Sequence, residues 1–261
     1  MSPALKETCL IIGANESYQN AEKDLERLTG IFVSSSTVHE LVNKTELEED
    51  CPDEVIEEIC VDGGNMSMKS GKYEQFKTSR VNGKWHFARF KEDDKLVEKL
   101  QSLNLGKPVL FLGDGHDGVW NVFDEISCKR VEILDWYHLM ENLHKQPLEK
   151  EKLKEIESLL WKGEKDKAMQ QFREGNNFRK YLKKNYGRLI NYNYFKEEGL
   201  TIGSGAVESS VKQIKSRTNI AGARWSEKGC RKILSLRCYY LNGSYHTRII
   251  KRNLSSKASI A

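Results

Sequence analysis

The sequence has no long hydrophobic run, no CxxC pair and little proline. Its 261 residues include six cysteines and four prolines. The longest apolar stretches, such as Val109–Leu112, are far shorter than the ~20 residues that a membrane helix needs. The N-terminus shows no basic start followed by an apolar core, so no secretory signal is visible. The cysteine spacing argues against a zinc finger and a secreted disulfide framework. We therefore expect reduced thiols in a cytoplasmic protein without a membrane partner.

Acidic residues are nearly absent from the last part of the chain. Residues 209–261 contain 12 Lys and Arg but only one acid, Glu227, whereas residues 1–208 contain 37 acids and 30 bases. The formal net charge of +4 thus combines an acidic front with a strongly basic end. This distribution predicts a polyanionic partner near the C-terminus. The 38% of hydrophobic residues makes gross disorder unexpected.

Residues 16–43 show the pattern of two short helices separated by a turn. Glu16–Leu28 carries apolar side chains at helical spacing, Gly30 interrupts it, and the polar run Ser34–Thr37 can cap a second helix. A second helix that opens with polar residues is typical of a major-groove reader, although a plain helical hairpin has the same pattern. The acid-rich residues 46–58 predict a solvated linker or helix face.

Strand and helix patterns alternate in the middle of the chain, which predicts an α/β fold. The predicted strands are Val55–Val61, Tyr73–Val81, Lys84–Phe90, Val109–Leu112 and Val131–Leu134. The Asn82-Gly83 pair between the second and third strands predicts a hairpin. The predicted helices are Glu92–Leu103, Val119–Ile126, Tyr137–Lys145, two or three within residues 148–186, Ala206–Thr218 and Ser226–Leu241.

Three carboxylates stand where chemistry is expected in such a fold. Asp62 and Asp114 each follow a predicted strand and precede glycine, and Glu208 opens a helix after a glycine-rich break. Active sites of open α/β sheets lie beyond strand ends. Carboxylates that converge there repel one another unless cations are bound, and they suit two Mg²⁺ ions for phosphodiester transfer. The alternative is that each Asp-Gly pair marks an ordinary turn.

Three groups of motifs stand out in the order in which they occur. They are Gly113–Trp120, then Ile133–His138 with Glu141–Leu143, then Ile202–Ser209 with Ala223–Ser226 and the later Leu236-Arg237. These motifs resemble the transposases of the ISKra-type bacterial insertion sequences, which are relatives of the Mutator-type transposases. The front of the chain also resembles this family, in Leu28–Gly30 and Ser36–Val38. The resemblance extends over nearly the whole chain.

The resemblance implies a ribonuclease-H-like mixed sheet with flanking helices and an Asp-Asp-Glu triad. Asp62, Asp114 and Glu208 match the triad, which would bind two Mg²⁺ or Mn²⁺ ions, and a helical insertion precedes the Glu. The expected divisions are a helix-turn-helix-like segment with the start of the acidic linker at 1–50, the first part of the catalytic core at 51–147, the insertion at 148–199, the final core helices at 200–245 and a flexible basic tail at 246–261.

Three further residues near the predicted strand ends compete for roles in the site. Asp135 and His138 resemble the Cys/Asp-x-x-His motif of Mutator relatives. Asp135 is the second choice as a metal ligand. His138 is a candidate DNA contact or a structural residue that holds the loop. His116 lies two residues after Asp114 and is a candidate phosphate contact, with loop solvation as the alternative.

Basic residues follow Glu208 closely. Lys212, Lys215, Arg217 and Arg224 are candidate DNA-binding residues, because helical spacing places the first two lysines on the side of Glu208. Such phosphate contacts supply affinity rather than sequence choice. The alternative is a solvated basic helix face. Three tryptophans are expected to pack in the core rather than contact bases: Trp120, Trp136 and Trp225.

The function expected from these observations is metal-dependent DNA cleavage and strand transfer by a transposase. Its partners would be element ends and target DNA, it would bind them as a homodimer, and it would be cytoplasmic and associated with the nucleoid. The alternative is a truncated, non-catalytic DNA-binding remnant, because full-length relatives have more N-terminal sequence for recognising their ends. A third hypothesis is a cellular nuclease of similar fold.

Overall fold

A five-stranded mixed sheet organises the chain, which the computed structural model describes over residues 1–203 and 205–244. The strands are β1 (Ile56–Ser67), β2 (Tyr73–Val81), β3 (Trp85–Arg89), β4 (Leu105–Gly113) and β5 (Arg130–Leu134). The helices of the first half are α1 (Pro3–Gly13), α2 (Tyr18–Thr29), α3 (Ser35–Lys44), α4 (Asp93–Gln101), α5 (Asp117–Asp124) and α6 (Trp136–His144). Those of the second half are α7 (Lys150–Trp161), α8 (Lys165–Gln170), α9 (Asn177–Lys184), α10 (Tyr192–Glu197), α11 (Gly205–Thr218) and α12 (Glu227–Leu241). The basic tail predicted at 246–261 lies outside the described residues.

The sheet has the strand order β3-β2-β1-β4-β5. Strand β1 pairs antiparallel with β2 and parallel with β4, and β4 pairs parallel with β5. The predicted end of the first strand at Asp62 is wrong, because β1 continues to Ser67. The reason is that β1 loses only one of its two partners at this point: its pairing with β4 ends at Val61, but its pairing with β2 runs from Ile59 to Ser67.

Alternate residues of the central strands pack against different helices. Ile59, Val61 and Phe111 join a buried cluster with side chains of α4 and α5. Their neighbours Cys60 and Leu112 join a second cluster that extends through α6 to α10. This alternation is what a strand buried on both faces requires, since successive side chains point to opposite sides. The predicted α/β class and the helices on both faces of the sheet are therefore confirmed.

The turn between β2 and β3 is the one that its sequence predicts. Asn82 and Gly83 both have positive φ, 46° and 59°, and with Lys84 they form a three-residue connection between the paired Val81 and Trp85. The Asn82 side chain also reaches the start of β1, where its Oδ1 accepts hydrogen bonds from the backbone N–H groups of Glu57 and Glu58 at 2.9 and 3.1 Å. This turn therefore fixes the register of the sheet as well as joining two strands.

Two buried arginines attach the N-terminal helices to the last helices of the chain. Arg217 of α11 donates from Nε to the Gly13 carbonyl at 2.8 Å, and Arg237 of α12 donates from Nη1 to the Ala14 carbonyl at 3.1 Å. Carbonyls at a helix C-terminus lack partners within the helix and carry partial negative charge, which cations stabilise. Helices α2 and α3 confirm the two helices predicted in residues 16–43. Helix α1 was not predicted, although Ser2 as its N-cap and Pro3 at its first position are both sequence signals.

The insertion predicted between the fifth strand and the final helices is helical. It contains α7, α8 and α9, as expected, and additionally α10, which was not predicted. Its apolar side chains join the cluster beneath β4 and β5, where the ring of the buried Tyr192 lies 4.7 Å from that of Trp136. Across residues 1–203 and 205–244, no helix has the length and apolarity needed to span a membrane.

Candidate active site

The sheet register places three aspartates next to one another. Val61 of β1 is paired with Gly113 of β4, and Gly113 is paired with Leu134 of β5. The Asp135 backbone N–H continues this pairing by donating to the Gly113 carbonyl at 2.9 Å. Asp62, Asp114 and Asp135 each follow one of these paired residues, so they lie side by side where the parallel pairing ends. The predicted neighbourhood of Asp62 and Asp114 is therefore a consequence of adjacent strands.

Asp62 occupies a partly buried position that disfavours its charged form. Burial raises the pKa of its carboxyl, and the charges of Asp114 and Glu208 raise it further. A hydrogen bond of 2.6 Å from the Gly63 N–H to Oδ1, together with the positive charge of His138, opposes this rise. Asp114 and Glu208 are thus near enough to Asp62 for their charges to act on its carboxyl.

Asp114 lies in a loop that two hydrogen bonds fix in place. Its Oδ1 accepts from the His116 N–H at 2.9 Å, and its carbonyl accepts from Trp120 Nε1 at 2.6 Å. The His116 side chain is exposed and caps α5, with Nδ1 accepting from the Gly118 N–H at 3.2 Å. An exposed imidazole two residues from Asp114 is accessible to a substrate, and its cap bond occupies only one ring nitrogen.

A buried serine near the start of α11 attaches the helix that carries Glu208 to the sheet. The Ser210 hydroxyl lies 2.7 Å from His86 Nδ1 and 3.5 Å from Thr78 Oγ1. Thr78 is the β2 residue paired with Asp62. Helix α11 thus packs against β1 and β2, and the charge of Glu208 in its first turn acts on Asp62.

Asp135 is already bound by protein groups. It is fully buried, caps α6, and accepts a hydrogen bond of 2.6 Å from the His138 N–H. The His138 ring nitrogen Nδ1 also lies 3.2 Å from Asp135 Oδ1. Asp135 therefore orients His138 and α6, and these contacts favour that positioning role over its second-choice role as a metal ligand.

His138 should remain protonated at neutral pH. Its interaction with Asp135 raises the pKa from 6.5 to about 9, with smaller contributions from the charges of Asp114 and Asp62. A raised pKa means that the pair stabilises the fold fully below about pH 6.5 and loses that contribution as the pH rises through about 9. We expect an NMR titration in metal-free buffer to give a pKa near 9 for the imidazole signal that disappears in His138→Gln.

The Asp135→Asn variant provides the matched test of this titration. Asparagine keeps the helix cap but removes the charge, so the pKa of His138 should fall toward its ordinary value of 6.5. A wild-type His138 that titrates near 6.5, or one that Asp135→Asn leaves unchanged, would contradict the assigned ion pair.

Tyr181 is a site residue that the sequence did not reveal. It lies on α9 of the insertion, and a Cβ added to Gly115 would come within 2.1 Å of its ring. The charges of Asp114 and Asp135, together with burial, raise the pKa of its phenol. Lys184 on the same helix pairs with Asp117 at 2.5 Å. Helix α9 thus covers the Asp114 loop, and the small residue after Asp114 was the available signal for a close neighbour.

The predicted DNA-binding residues that follow Glu208 differ in their exposure. Lys212 is exposed, with Nζ 3.9 Å from Glu208 Oε2, which confirms that the two share a helix face. Arg224 is exposed and Lys215 is partly buried. Arg217 does not lie on an exposed basic helix face, because its side chain is 2% exposed and it donates to the Gly13 carbonyl.

The predicted role of the three tryptophans in packing is confirmed. Trp120 and Trp136 are buried in the clusters on the two faces of the sheet, and Trp225 is buried between β1 and α12. The indole Nε1 of Trp225 donates to the Thr218 carbonyl at 2.7 Å. These contacts show that the three rings pack in the core.

The candidate ligands at the site are of the kind that Mg²⁺ prefers, but they are not arranged to coordinate an ion together. Asp62, Asp114 and Glu208 offer carboxylate oxygens, and no Lys or Arg in the described ranges pairs closely with either aspartate. However, no set of three or more His, Cys, Asp or Glu side chains in those ranges could hold a metal ion as arranged. Coordination by all three carboxylates would therefore require side-chain rearrangement.

Comparison with known proteins gives no family for the chain. Neither the models of known protein families nor the sequences of curated proteins match it.

Proposed function

We propose that this protein is a DDE-type DNA transposase that uses Asp62, Asp114 and Glu208 for metal-dependent cleavage and strand transfer. The observation that carries the proposal is that Asp62 of β1 and Asp114 after β4 are neighbours and that the charges of Asp114 and of Glu208 on α11 act on Asp62. Residues that are distant in sequence supply these carboxylates, and no Lys or Arg of the described ranges pairs with the two aspartates. The one positive charge of His138 leaves the site with net negative charge, which is suited to a bound divalent cation.

The topology supports the same proposal. The sheet has the order β3-β2-β1-β4-β5, in which β1, β2 and β3 are antiparallel and β1, β4 and β5 are parallel. This topology is compatible with a ribonuclease-H-like core. The helices α7 to α10 precede Glu208, as the resemblance to ISKra-type and Mutator-type transposases implies. The two helices α2 and α3 are the proposed DNA-reading segment.

The described residues have distinct roles in this proposal. A pair of Mg²⁺ or Mn²⁺ ions held by the three carboxylates would activate the attacking oxygen and stabilise the leaving oxygen. Asp135 holds His138, whose positive charge faces Asp62 and Asp114. Lys212 places a cation next to Glu208, where a DNA phosphate would approach. The proposed partners are element ends and target DNA, bound by a homodimer associated with the nucleoid.

Cleavage of DNA with controlled metal content tests the proposal. The purified protein is expected to nick DNA that flanks its own gene, and to join the new 3′ ends to a target plasmid, when Mg²⁺ or Mn²⁺ is present. Excess EDTA should abolish both reactions, because the carboxylates alone cannot activate the attacking oxygen. Nicking without joining would indicate a nuclease instead, and no reaction with either metal would contradict the catalytic proposal.

A second candidate function is a non-catalytic DNA-binding remnant of a transposase. The observation that favours it is that no three-ligand metal group is formed among the described residues. A gel shift on the same flanking DNA distinguishes the two candidates. Specific binding without metal-dependent cleavage would favour the remnant.

A further inference from the structure

A basic cleft lies between the N-terminal helices, the end of β1 and the start of α12. Its volume is about 510 Å³, and its lining includes His39, Lys69, Arg217, Arg224 and Lys232 but, among the described residues, no Asp or Glu. Lys69 and Arg224 are exposed and come from segments joined by a hydrogen bond of 2.8 Å from the Lys69 N–H to the Trp225 carbonyl. Cations from distant parts of the sequence thus face one concave space.

A buried charge lies at the base of this basic cleft. The Arg217 side chain is 2% exposed, yet it forms no ion pair with a carboxylate of the described residues, and its Nη2 has no hydrogen-bond partner there. Its guanidinium lies 5.0 Å from the centre of the Tyr18 ring and 5.3 Å from that of Trp225. A buried cation without an anionic partner is costly, so a negative ligand in the cleft would be favoured.

Two helix N-termini add to the positive potential. Ser17 caps α2 and Ser226 caps α12, and both residues line the basic cleft. The N-terminal end of a helix carries partial positive charge and favours anions. Lys232 is positioned by a hydrogen bond of 3.1 Å from its Nζ to the Thr45 carbonyl. The side chains and the helix N-termini therefore both favour a negatively charged ligand.

We propose that this basic cleft binds the backbone phosphates of the DNA that the protein cuts, an inference that rests on the function proposed above. Helix α11 links the two sites, because Glu208 and Arg217 are nine residues apart, or ~14 Å at ~1.5 Å per residue. Asp62 lies in β1 and Lys69 two residues beyond its end, so these two residues are seven apart, or at most ~23 Å at ~3.3 Å per residue. At ~3.4 Å per base pair, the cleft binds DNA about four to seven base pairs from the scissile phosphate.

Binding measurements without metal test the cleft separately from cleavage. We expect the double variant Lys69→Gln/Arg224→Gln to raise the Kd for a fluorescent 20-base-pair duplex of flanking DNA about tenfold or more in EDTA buffer. The slope of log K against log salt should fall by about 2, since each lost phosphate contact contributes ~0.9. Both side chains are exposed, so the unfolding temperature should stay unchanged.

The matched control removes two charges at the opposite edge of the sheet. Lys107 and Lys129 are exposed near the starts of β4 and β5, and Lys107→Gln/Lys129→Gln should bind the duplex like the wild type. If the cleft variant also binds like this control, the cleft proposal is overturned, whereas metal-dependent nicking by the wild type would still support the proposed function.

Inorganic phosphate distinguishes a small anion from DNA. If phosphate raises the unfolding temperature of the wild type but not of the cleft variant, while the wild type binds no duplex, the cleft binds a free anion and the DNA proposal is overturned. Competition between phosphate and duplex that depends on Lys69 and Arg224 would support it.

Discussion

Asp114→Asn is expected to lower the rate of Mg²⁺-dependent DNA nicking by ~100-fold or more, the scale at which one electrostatic group of an active site contributes. The change removes a negative charge next to Asp62 while keeping the size of the side chain. The loop should keep its shape, because the Asn Oδ1 can still accept from the His116 N–H and the Asp114 carbonyl bond to Trp120 belongs to the backbone. Single-turnover nicking of plasmid DNA gives the rate.

The same substitution three residues later is the matched control. Asp117 is exposed and pairs with Lys184 rather than with the carboxylates of the site. Asp117→Asn should therefore keep nicking within about twofold of wild type, since exposed ion pairs contribute little. Wild-type nicking by Asp114→Asn would remove Asp114 from the proposed triad. An equal loss of nicking rate in both variants would show that the rate depends on the conformation of the loop rather than on the charge of Asp114.

Phe111→Ala is expected to lower the free energy of unfolding by about 3–5 kcal/mol, the usual cost of truncating a buried phenylalanine. Phe111 is fully buried in β4, its ring lies 4.6 Å from that of Phe123, and the Arg130 guanidinium lies 5.6 Å from the ring centre. Removing the ring leaves a cavity between the sheet and α5. Urea denaturation followed by circular dichroism measures the change.

An exposed phenylalanine of the same chain provides the reference. Phe32 is 63% exposed in the turn before α3, so Phe32→Ala should change the free energy of unfolding by less than about 0.5 kcal/mol. A small effect of Phe111→Ala, comparable to that of Phe32→Ala, would contradict the packing of β4 against α5.

The sequence was informative wherever local pattern and tertiary structure agree. The Asn82-Gly83 turn, the strands on either side of it and the helical insertion follow from turn chemistry and periodicity. The neighbourhood of Asp62 and Asp114 was also predictable, because the ends of parallel strands meet at one edge of a sheet. The triad assignment stays a prediction, since proximity alone does not show catalysis.

What the sequence did not show depends on contacts between distant segments. Strand β1 continues past Asp62 because β2 remains available as a partner, and nothing within residues 62–67 indicates this. Arg217 reads as one more cation of a basic helix, yet it binds the end of α1. Asp135 resembles the other strand-end aspartates, but its bonds to His138 are visible only once α6 is in place.

The attachment of α1 through Arg217 and Arg237 has a consequence for modularity. The acid-rich residues 46–58 read as a boundary between two separable parts, but both arginines cross it to reach the Gly13 and Ala14 carbonyls. Removing the first 44 residues would take the Gly13 carbonyl from Arg217 and the Ala14 carbonyl from Arg237. It would also uncover apolar side chains of α12 that pack with Leu10, Ala14 and Val42. The N-terminal helices are therefore an integral layer of the core, and a protein cut at residue 50 should not fold as an independent catalytic unit.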